Sequence, residues 1–226
     1  MNNLANKWIK GSVKWFLPFY LLTLLPFTSC SESDETVNEY ENWQQRNDQF
    51  FATLEDSLKA NPAAWVKWKS YSLDDTTDGT ATDYVYAKII KSGSETQSPM
   101  FTDSVRVSYR GRLIPSENYP EGYIFDNGTT YGEYNNATNS TAKFVMVSSG
   151  TEAVVSGWIT TLLHMHRGDY WRVYIPYNLG YGKKAVTSSG TVIVPAFSTL
   201  IFDLTLIDYS PAGESMLPYS SREAEF

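Results

Sequence analysis

A period-two alternation of apolar and polar residues dominates the second half of this sequence and restricts how the chain can fold. In "SVRVSYRGRL", Val105, Val107 and Tyr109 point to one side of an extended chain, and polar residues point to the other. The stretch "TLIFDLTLID" at 199–208 repeats the pattern, as do "DYVYAKIIKSG", "KFVMV" at 143–147 and "DYWRVYIP" at 169–176. These stretches predict five strands of an antiparallel sheet.

A single short helix is predicted among these strands, in "VVSGWITTLLHM" at 154–165. Trp158, Leu162 and Met165 are spaced as one helical stripe, with Ser156 as N-cap and Gly168 near the C-terminal end. The stripe has to pack against the sheet. The predicted fold class is therefore α+β: an antiparallel sheet of five or slightly more strands, wrapped around one short helix over a single core.

An amphipathic helical extension is predicted before the sheet, over Val37–Ala60. Asn61 and Pro62 stop it, and the polar stretch at 72–83 is expected to be a loop. We expect one helix or two, acting as a packing brace, and a dimerisation arm remains the alternative. The apolar residues at near-helical spacing are Tyr40, Trp43, Phe50, Leu54 and Leu58.

The first thirty residues have the pattern of an export signal. Lys7, Lys10 and Lys14 precede an apolar run at 15–27, which is shorter than the roughly 20 residues of a membrane span. The run also contains two prolines, which disfavour a persistent helix.

Cys30 is the only cysteine of the chain and directly follows this segment, after two small residues and before "SESDE". The arrangement resembles a bacterial lipoprotein lipobox, and the acidic run resembles the surface-export signal of Bacteroidota lipoproteins. The resemblance implies an exported protein with a lipid anchor on Cys30, held at the outer membrane and facing the periplasm or the cell surface. A stray thiol in an ordinary signal peptide is the alternative. With one cysteine, no internal disulfide is expected.

Charge and composition restrict the possible partners. Asp and Glu (25) outnumber Lys and Arg (18), the net charge is −7, and no basic block interrupts the sequence, so nucleic acid is not expected as a partner. The chain is 42% apolar and 15% aromatic, enough for a packed core.

Motifs from about Tyr84 to Tyr209 resemble the FKBP-type peptidyl-prolyl cis-trans isomerases, in the order of that family. They are "VSYRGRL", "FD", "VVSGW", "HMHRGD", "IPYNLGYG" and "VPAFSTLIFDLTLID". The resemblance implies an isomerase domain at 84–210, after a signal peptide at 1–29 and an acidic tether and helical extension at 30–83, and before a tail at 211–226. It also implies that the substrates are proline-containing polypeptides.

The resemblance further implies a pocket with Trp158 as its floor. In the family's pattern the hydroxyl of Tyr181 donates to a substrate carbonyl, and Asp126 lies near the twisting carbonyl and bonds Tyr109. The backbone N–H of Val155 also binds a substrate carbonyl, and either Phe144 or Val145 fills one wall. The apolar pocket residues implied are Phe125, Phe144, Val154, Val155, Trp158, Val194 and Phe202.

Other kinds of site find little support in the sequence. His164 and His166 are two residues apart, which places them on different faces of a helix, so no metal site is expected. The sequence has no glycine-rich phosphate loop, and no cofactor is expected. Rotation about an X-Pro bond needs no nucleophile, and a dry apolar pocket favours the twisted amide.

Three functions stay open: an isomerase that assists the folding of exported proteins, a catalytically weak proline-peptide-binding or chaperone module, and a surface ligand-binding lipoprotein. The sequence leaves the oligomeric state and the client proteins open.

Overall fold

A computed structural model describes residues 38–126 and 154–216, together with the backbone of 142–145. The first element in these ranges is helix α1, Trp43–Ala60, which confirms the predicted helical extension. Its buried residues, one turn or two apart, form a stripe, and the helix ends before Asn61 and Pro62, because proline cannot continue a helix. Within the described ranges, no helix combines the length and the apolar character needed to cross a membrane. The buried stripe consists of Trp43, Asn47, Phe51 and Leu54.

The strands form one large antiparallel sheet and one small hairpin. The strands are β1 Trp65–Lys69, β2 Tyr84–Lys91, β3 Ser104–Arg112, β4 Ile124–Asp126, β5 Ala142–Val145, β6 Tyr170–Ile175, β7 Val186–Ser188, β8 Thr191–Val194 and β9 Leu200–Ser210. The order across the large sheet is β1-β2-β6-β9-β3-β4, β5 also pairs with β3, and β7 pairs only with β8. The five predicted strands are confirmed as β2, β3, β5, β6 and β9.

Two helices cover opposite faces of the large sheet. Helix α2, Ser156–Leu162, lies so close to β6 that a Cβ on Gly157 would be 2.3 Å from Cγ2 of Ile175. The preceding residue of β6, Tyr174, has its ring centroid 6.1 Å from that of Phe50 in α1. Consecutive strand residues point to opposite faces. The sheet therefore wraps around α2 as predicted, and the N-terminal extension covers its other face.

Strand β1 is an addition to the predicted sheet. It pairs with β2 along its whole length, and all five of its residues are half-buried. Trp65 stacks on Tyr174 on one face at 5.4 Å between ring centroids, and Trp68 stacks on Trp171 on the other at 5.1 Å. Because both faces of β1 are covered with large side chains, its sequence lacks the one-sided alternation that identified the other strands.

The short helix α2 begins at Ser156, one residue earlier than predicted. Val155, not Ser156, is the N-cap: its backbone is extended and its carbonyl accepts the N–H of Trp158 at 2.9 Å. Ser156 is the first helical residue, and its hydroxyl donates to the carbonyl of Leu179 at 3.2 Å. The predicted apolar stripe is confirmed as buried: Trp158, Leu162 and Met165.

A buried carboxylate lies at the centre of the sheet. Asp203 of β9 is 1% exposed and accepts a hydrogen bond from Nε of Arg172 on β6 at 2.7 Å. The guanidinium of Arg112 on β3 lies 3.6 Å from its second oxygen. A buried charge is tolerated only when it is paired, so these two arginines allow Asp203 to lie inside the sheet.

Candidate functional site

A cavity of about 150 Å³ opens where the N-terminal end of α2 meets strands β3, β4 and β9. Strand β3 contributes Tyr109, the end of β4 contributes Asp126, and β9 contributes Phe202. The turn after a 3₁₀-helix at Tyr177–Leu179 contributes Tyr181. The described residues that line the cavity are Tyr109, Asp126, Val154, Val155, Trp158, Tyr181 and Phe202.

The cavity floor is built from three aromatic rings, and two of them meet the ring of Trp158 edge to face. The ring centroid of Trp158 lies 4.8 Å from that of Tyr109 and 5.2 Å from that of Phe202, with interplanar angles of 89° and 80°. All three side chains are buried. Edge-to-face contact is a favoured geometry for aromatic pairs, and rings have few rotatable bonds, so the floor is rigid as well as apolar.

The polar groups of the cavity are a carboxylate and two phenol hydroxyls. The hydroxyl of Tyr109 donates to Oδ2 of Asp126 at 3.1 Å. Burial, followed by the negative charge of Asp126, raises the pKa of Tyr109. Burial and the same charge raise the pKa of Tyr181 above its usual 10.0. Both phenols therefore stay protonated near neutral pH and remain hydrogen-bond donors.

Val154 and Val155 form the part of the wall where the chain enters α2. The carbonyl of Val155 is committed to the helix, because it accepts the N–H groups of Trp158 and Ile159 at 2.9 and 3.4 Å. The extended conformation of Val155 is that of an N-cap residue, and this conformation brings two branched apolar side chains to the cavity.

Three predicted pocket residues are not among the described residues that line the cavity. Phe125 stands beside the cavity, with its ring 5.6 Å from Phe202 and 6.3 Å from Tyr181. Val194 is 1% exposed and belongs to the hydrophobic core. Phe144 lies in β5 opposite Val105, but its side chain, like that of Val145, lies outside the described residues.

Gly111 is a site residue that the sequence reasoning missed. A Cβ at this position of β3 would lie 2.7 Å from both Phe125 and Phe202. Only glycine lets these two rings approach the strand so closely. The signal was present in the sequence, because a lone glycine inside an alternating strand often marks a close approach.

The two histidines lie away from the cavity. His164 stacks on Trp68 at 4.8 Å between ring centroids, and Nδ1 of His166 is 3.4 Å from Oδ2 of Asp169. Across the described ranges, no three His, Cys, Asp or Glu residues are grouped in a way that could hold a metal ion.

A curved antiparallel sheet around a short helix, with an aromatic cavity at the N-terminal end of that helix, defines an α+β domain built to accept a small apolar group. The family model described as FKBP-type peptidyl-prolyl cis-trans isomerase matches residues 95–207, half of the sequence. The chain therefore belongs to the FKBP-type peptidyl-prolyl cis-trans isomerase family, which confirms the resemblance read from its motifs.

Two relatives from Escherichia coli (strain K12) are similar to this chain. The FKBP-type 22 kDa peptidyl-prolyl cis-trans isomerase is 34% identical over 121 residues, which cover 54% of this chain and 48% of the relative. The isomerase FkpA is 28% identical over 188 residues, covering 83% and 60%. The matches thus cover about half to three fifths of the length of these relatives. A crystal structure of a peptidyl-prolyl cis-trans isomerase from Pseudomonas syringae pv. tomato is 23% identical, with a TM-score of 0.48, and the match covers 76% of this chain and 96% of that one.

Proposed function

We propose that this protein is a peptidyl-prolyl cis-trans isomerase that binds a substrate proline ring in the aromatic cavity over Trp158. The cavity itself is the observation that carries the proposal. Its volume is about 150 Å³, and an apolar protein cavity of about that size accommodates a benzene ring. A proline ring is slightly smaller than benzene, so it fits above the indole with the preceding peptide bond at the cavity mouth.

The chemistry needs no covalent step. Rotation about an X-Pro bond passes through a twisted amide with little charge separation, over a barrier of about 20 kcal/mol. Water stabilises the planar, dipolar amide more than the twisted one. A cavity that replaces water around the bond with aromatic rings therefore lowers the barrier by disfavouring the ground state.

Polar groups at the cavity would hold the substrate while the bond rotates. We assign the hydroxyl of Tyr181 as donor to a substrate carbonyl, because its raised pKa keeps it protonated. Asp126, fixed by the hydroxyl of Tyr109, would lie beside the twisting carbonyl, and the N–H of Val155 would bind a further carbonyl. Phe125, Val194 and a residue of β5, either Phe144 or Val145, complete the proposed walls around the aromatic floor.

The test is turnover of a short X-Pro peptide by the purified full chain, followed by exchange NMR between the cis and trans forms. Wild-type protein should accelerate the exchange. Asp126→Ala and Tyr181→Phe should each lower kcat/KM by roughly tenfold, the size expected for one lost hydrogen bond of about 1.4 kcal/mol. Tyr119→Phe is the matched control, because this tyrosine is as exposed as Tyr181, at 41%, and is not among the described residues that line the cavity.

The same samples separate catalysis from binding alone. A wild-type chain that binds the peptide saturably but leaves its isomerisation at the spontaneous rate is a proline-peptide-binding module. A chain that does neither contradicts the proposal. Full activity in both Asp126→Ala and Tyr181→Phe would remove the polar roles assigned here.

We also propose that the protein is exported and anchored to the outer membrane by a lipid on Cys30, where it assists the folding of exported proteins. The support is the placement of Cys30, after a basic and apolar segment and directly before "SESDE". Metabolic labelling with an alkyne-bearing fatty acid tests this: the wild-type chain should incorporate the label and Cys30→Ser should not. Equal labelling of both would overturn the anchor.

The domain division is part of this proposal. An acidic tether and helical extension at 30–83 would connect the anchor to the isomerase domain at 84–210, and a tail at 211–226 would follow. Helix α1 and strand β1 pack on that domain, which supports the brace interpretation of the extension.

A further inference from the structure

We propose that Trp43 and Asn47 of helix α1 are positioning residues for Tyr181 at the isomerase site. Neither residue lines the cavity, and neither lies within the family-model match at 95–207. Both are connected to the turn that carries Tyr181 through the segment 195–199, which joins β8 to β9. This inference rests on the proposed function, because it assigns Tyr181 the role of a substrate donor.

The first part of the connection joins α1 to this segment. Asn47 is 1% exposed, and its Oδ1 accepts the backbone N–H of Thr199 at 2.7 Å. One helical turn earlier, Nε1 of Trp43 donates to Oγ of Ser198 at 2.8 Å, and this hydroxyl in turn donates to the carbonyl of Pro195 at 2.7 Å. Two buried side chains of α1 thus fix consecutive residues of the segment.

Asn47 is also fixed on its own helix. Its Nδ2 donates to the carbonyl of Trp43 at 2.8 Å, which orients the amide so that Oδ1 faces Thr199. Both ends of the amide are therefore used. A polar side chain buried on an otherwise apolar helix face is maintained by such bonds, because an unsatisfied buried amide would be costly.

The second part of the connection joins the segment to the Tyr181 turn. The N–H of Phe197 donates to the carbonyl of Gly182 at 3.0 Å, and the ring of Phe197 packs edge-on against Tyr177 at 5.2 Å. The N–H groups of Gly180 and Gly182 both donate to the carbonyl of Tyr177, at 3.0 and 2.9 Å. The backbone on each side of Tyr181 is therefore fixed, and one side is tied to Phe197.

Phe197 shows why outside support is needed. Its φ is 61°, a left-handed conformation that is uncommon for a phenylalanine and persists only where the surrounding structure imposes it. The bonds from α1 hold the two residues after Phe197, and the bond to Gly182 holds Phe197 itself. Tyr181 as a whole residue is 41% exposed, so neighbouring side chains cover it only in part. Its position depends on the backbone, and so on α1.

A double-mutant cycle on the purified full chain tests the coupling. Asn47→Ala should lower kcat/KM for an X-Pro peptide by up to roughly tenfold, which is the loss expected for Tyr181→Phe, because it releases the segment that positions the Tyr181 hydroxyl. In a Tyr181→Phe background the same substitution should have little further effect, because the hydroxyl that it misplaces is already absent. The control is Phe51→Leu, which shortens a buried α1 side chain packed against Tyr86 and leaves the hydrogen bonds to Ser198 and Thr199 in place, because other residues make them. It should leave kcat/KM unchanged.

Amide hydrogen exchange gives a second measurement that does not depend on catalysis. Asn47→Ala should speed exchange at Phe197 and Gly182 by about tenfold while leaving the amides of β6 unchanged, because only the local segment is released. Phe51→Leu should not have this effect. Unchanged exchange at Phe197 and Gly182, or additive losses of kcat/KM in the double mutant, would overturn the inference. If the wild-type chain does not accelerate isomerisation, the proposed function fails, and the exchange data still decide whether α1 positions the turn.

Discussion

Adding one methyl group at Gly157 should destabilise the protein, although glycine to alanine normally strengthens a helix. The usual gain is at most about 1 kcal/mol. Here the new Cβ would lie 2.3 Å from Cγ2 of Ile175, 3.0 Å from its Cγ1 and 3.1 Å from its Cδ1. Ile175 is fully buried in β6, and the two shortest contacts are to the carbons bonded to its Cβ, so the methyl forces α2 away from the sheet.

The overpacking penalty decides the sign. Extra volume in a packed core costs about 1–3 kcal/mol, and a contact of 2.3 Å with Cγ2 of Ile175 puts Gly157→Ala in the upper part of that range, at about 2–3 kcal/mol. After the helix gain of up to about 1 kcal/mol is subtracted, the free energy of unfolding should fall by about 1–2 kcal/mol. For a chain of this size that corresponds to a thermal midpoint lower by about 2–8 °C. Because Trp158 is the next residue, isomerase activity should fall as well.

Urea unfolding followed by circular dichroism measures the effect, and a second variant identifies its cause. Ile175→Ala alone should cost about 2–5 kcal/mol, because it leaves a cavity. In the double variant the methyl added at Gly157 occupies space that the Ile175 side chain has vacated, so the combined loss should be smaller than the sum by about 1 kcal/mol or more. A stabilised Gly157→Ala protein, or strictly additive losses, would refute the close-packing argument.

Three further predictions concern hydrogen bonds and pH. Glu55→Gln should destabilise the protein by about 1 kcal/mol, because the neutral amide is a weaker acceptor for the Tyr86 hydroxyl, now at 2.6 Å from Oε2, and loses the ion pair with Lys67 at 2.9 Å. The bond from the Tyr86 hydroxyl holds the pKa of Glu55 below 4.5, so the stability that the carboxylate contributes is complete above pH 4.5 and is lost as the pH falls through the lowered value. The urea midpoints of the wild-type and Glu55→Gln proteins should therefore differ at neutral pH and converge at acid pH. A gap that does not change with pH would contradict this. Tyr109→Phe should lower kcat/KM by roughly tenfold, because it removes the hydrogen bond to Asp126. It should change the urea midpoint little, because Asp126 is only half-buried and water can replace the phenol. A large loss of stability would mean that the Tyr109–Asp126 pair serves mainly the fold. Isomerisation should be constant between about pH 7 and pH 9, because the pKa values of Tyr109 and Tyr181 are raised above the usual 10. A titration within that range would require another group in the mechanism.

Hydrophobic periodicity was sufficient for most of the sheet. In strands β3 and β9, apolar and polar residues alternate clearly, because the two faces of each strand contact different neighbours. The alternation identified both as strands. It failed for β1, where tryptophans cover both faces. It also placed Phe50 on the buried stripe of α1, whereas Phe51 is the buried residue there and Phe50 packs at the margin.

The site was predictable only in part. Motif resemblance brought Tyr109, Asp126 and Tyr181 together, although no local pattern connects residues so far apart in the sequence. The bond between Asn47 and Thr199 crosses 152 residues, and a polar residue on a helix face does not indicate its partner. Long-range polar contacts of this kind depend on the final packing, which periodicity does not describe.

The pairing of β1 with β2 has a practical consequence for shortened versions of this protein. The family match begins at residue 95, after both strands, and trimming the chain to that boundary would strip the flank of β6 of its backbone partners. An open strand edge invites pairing between molecules. A shortened chain that keeps α1, β1 and β2, and so starts no later than Asn42, should therefore self-associate less than one that starts at residue 95.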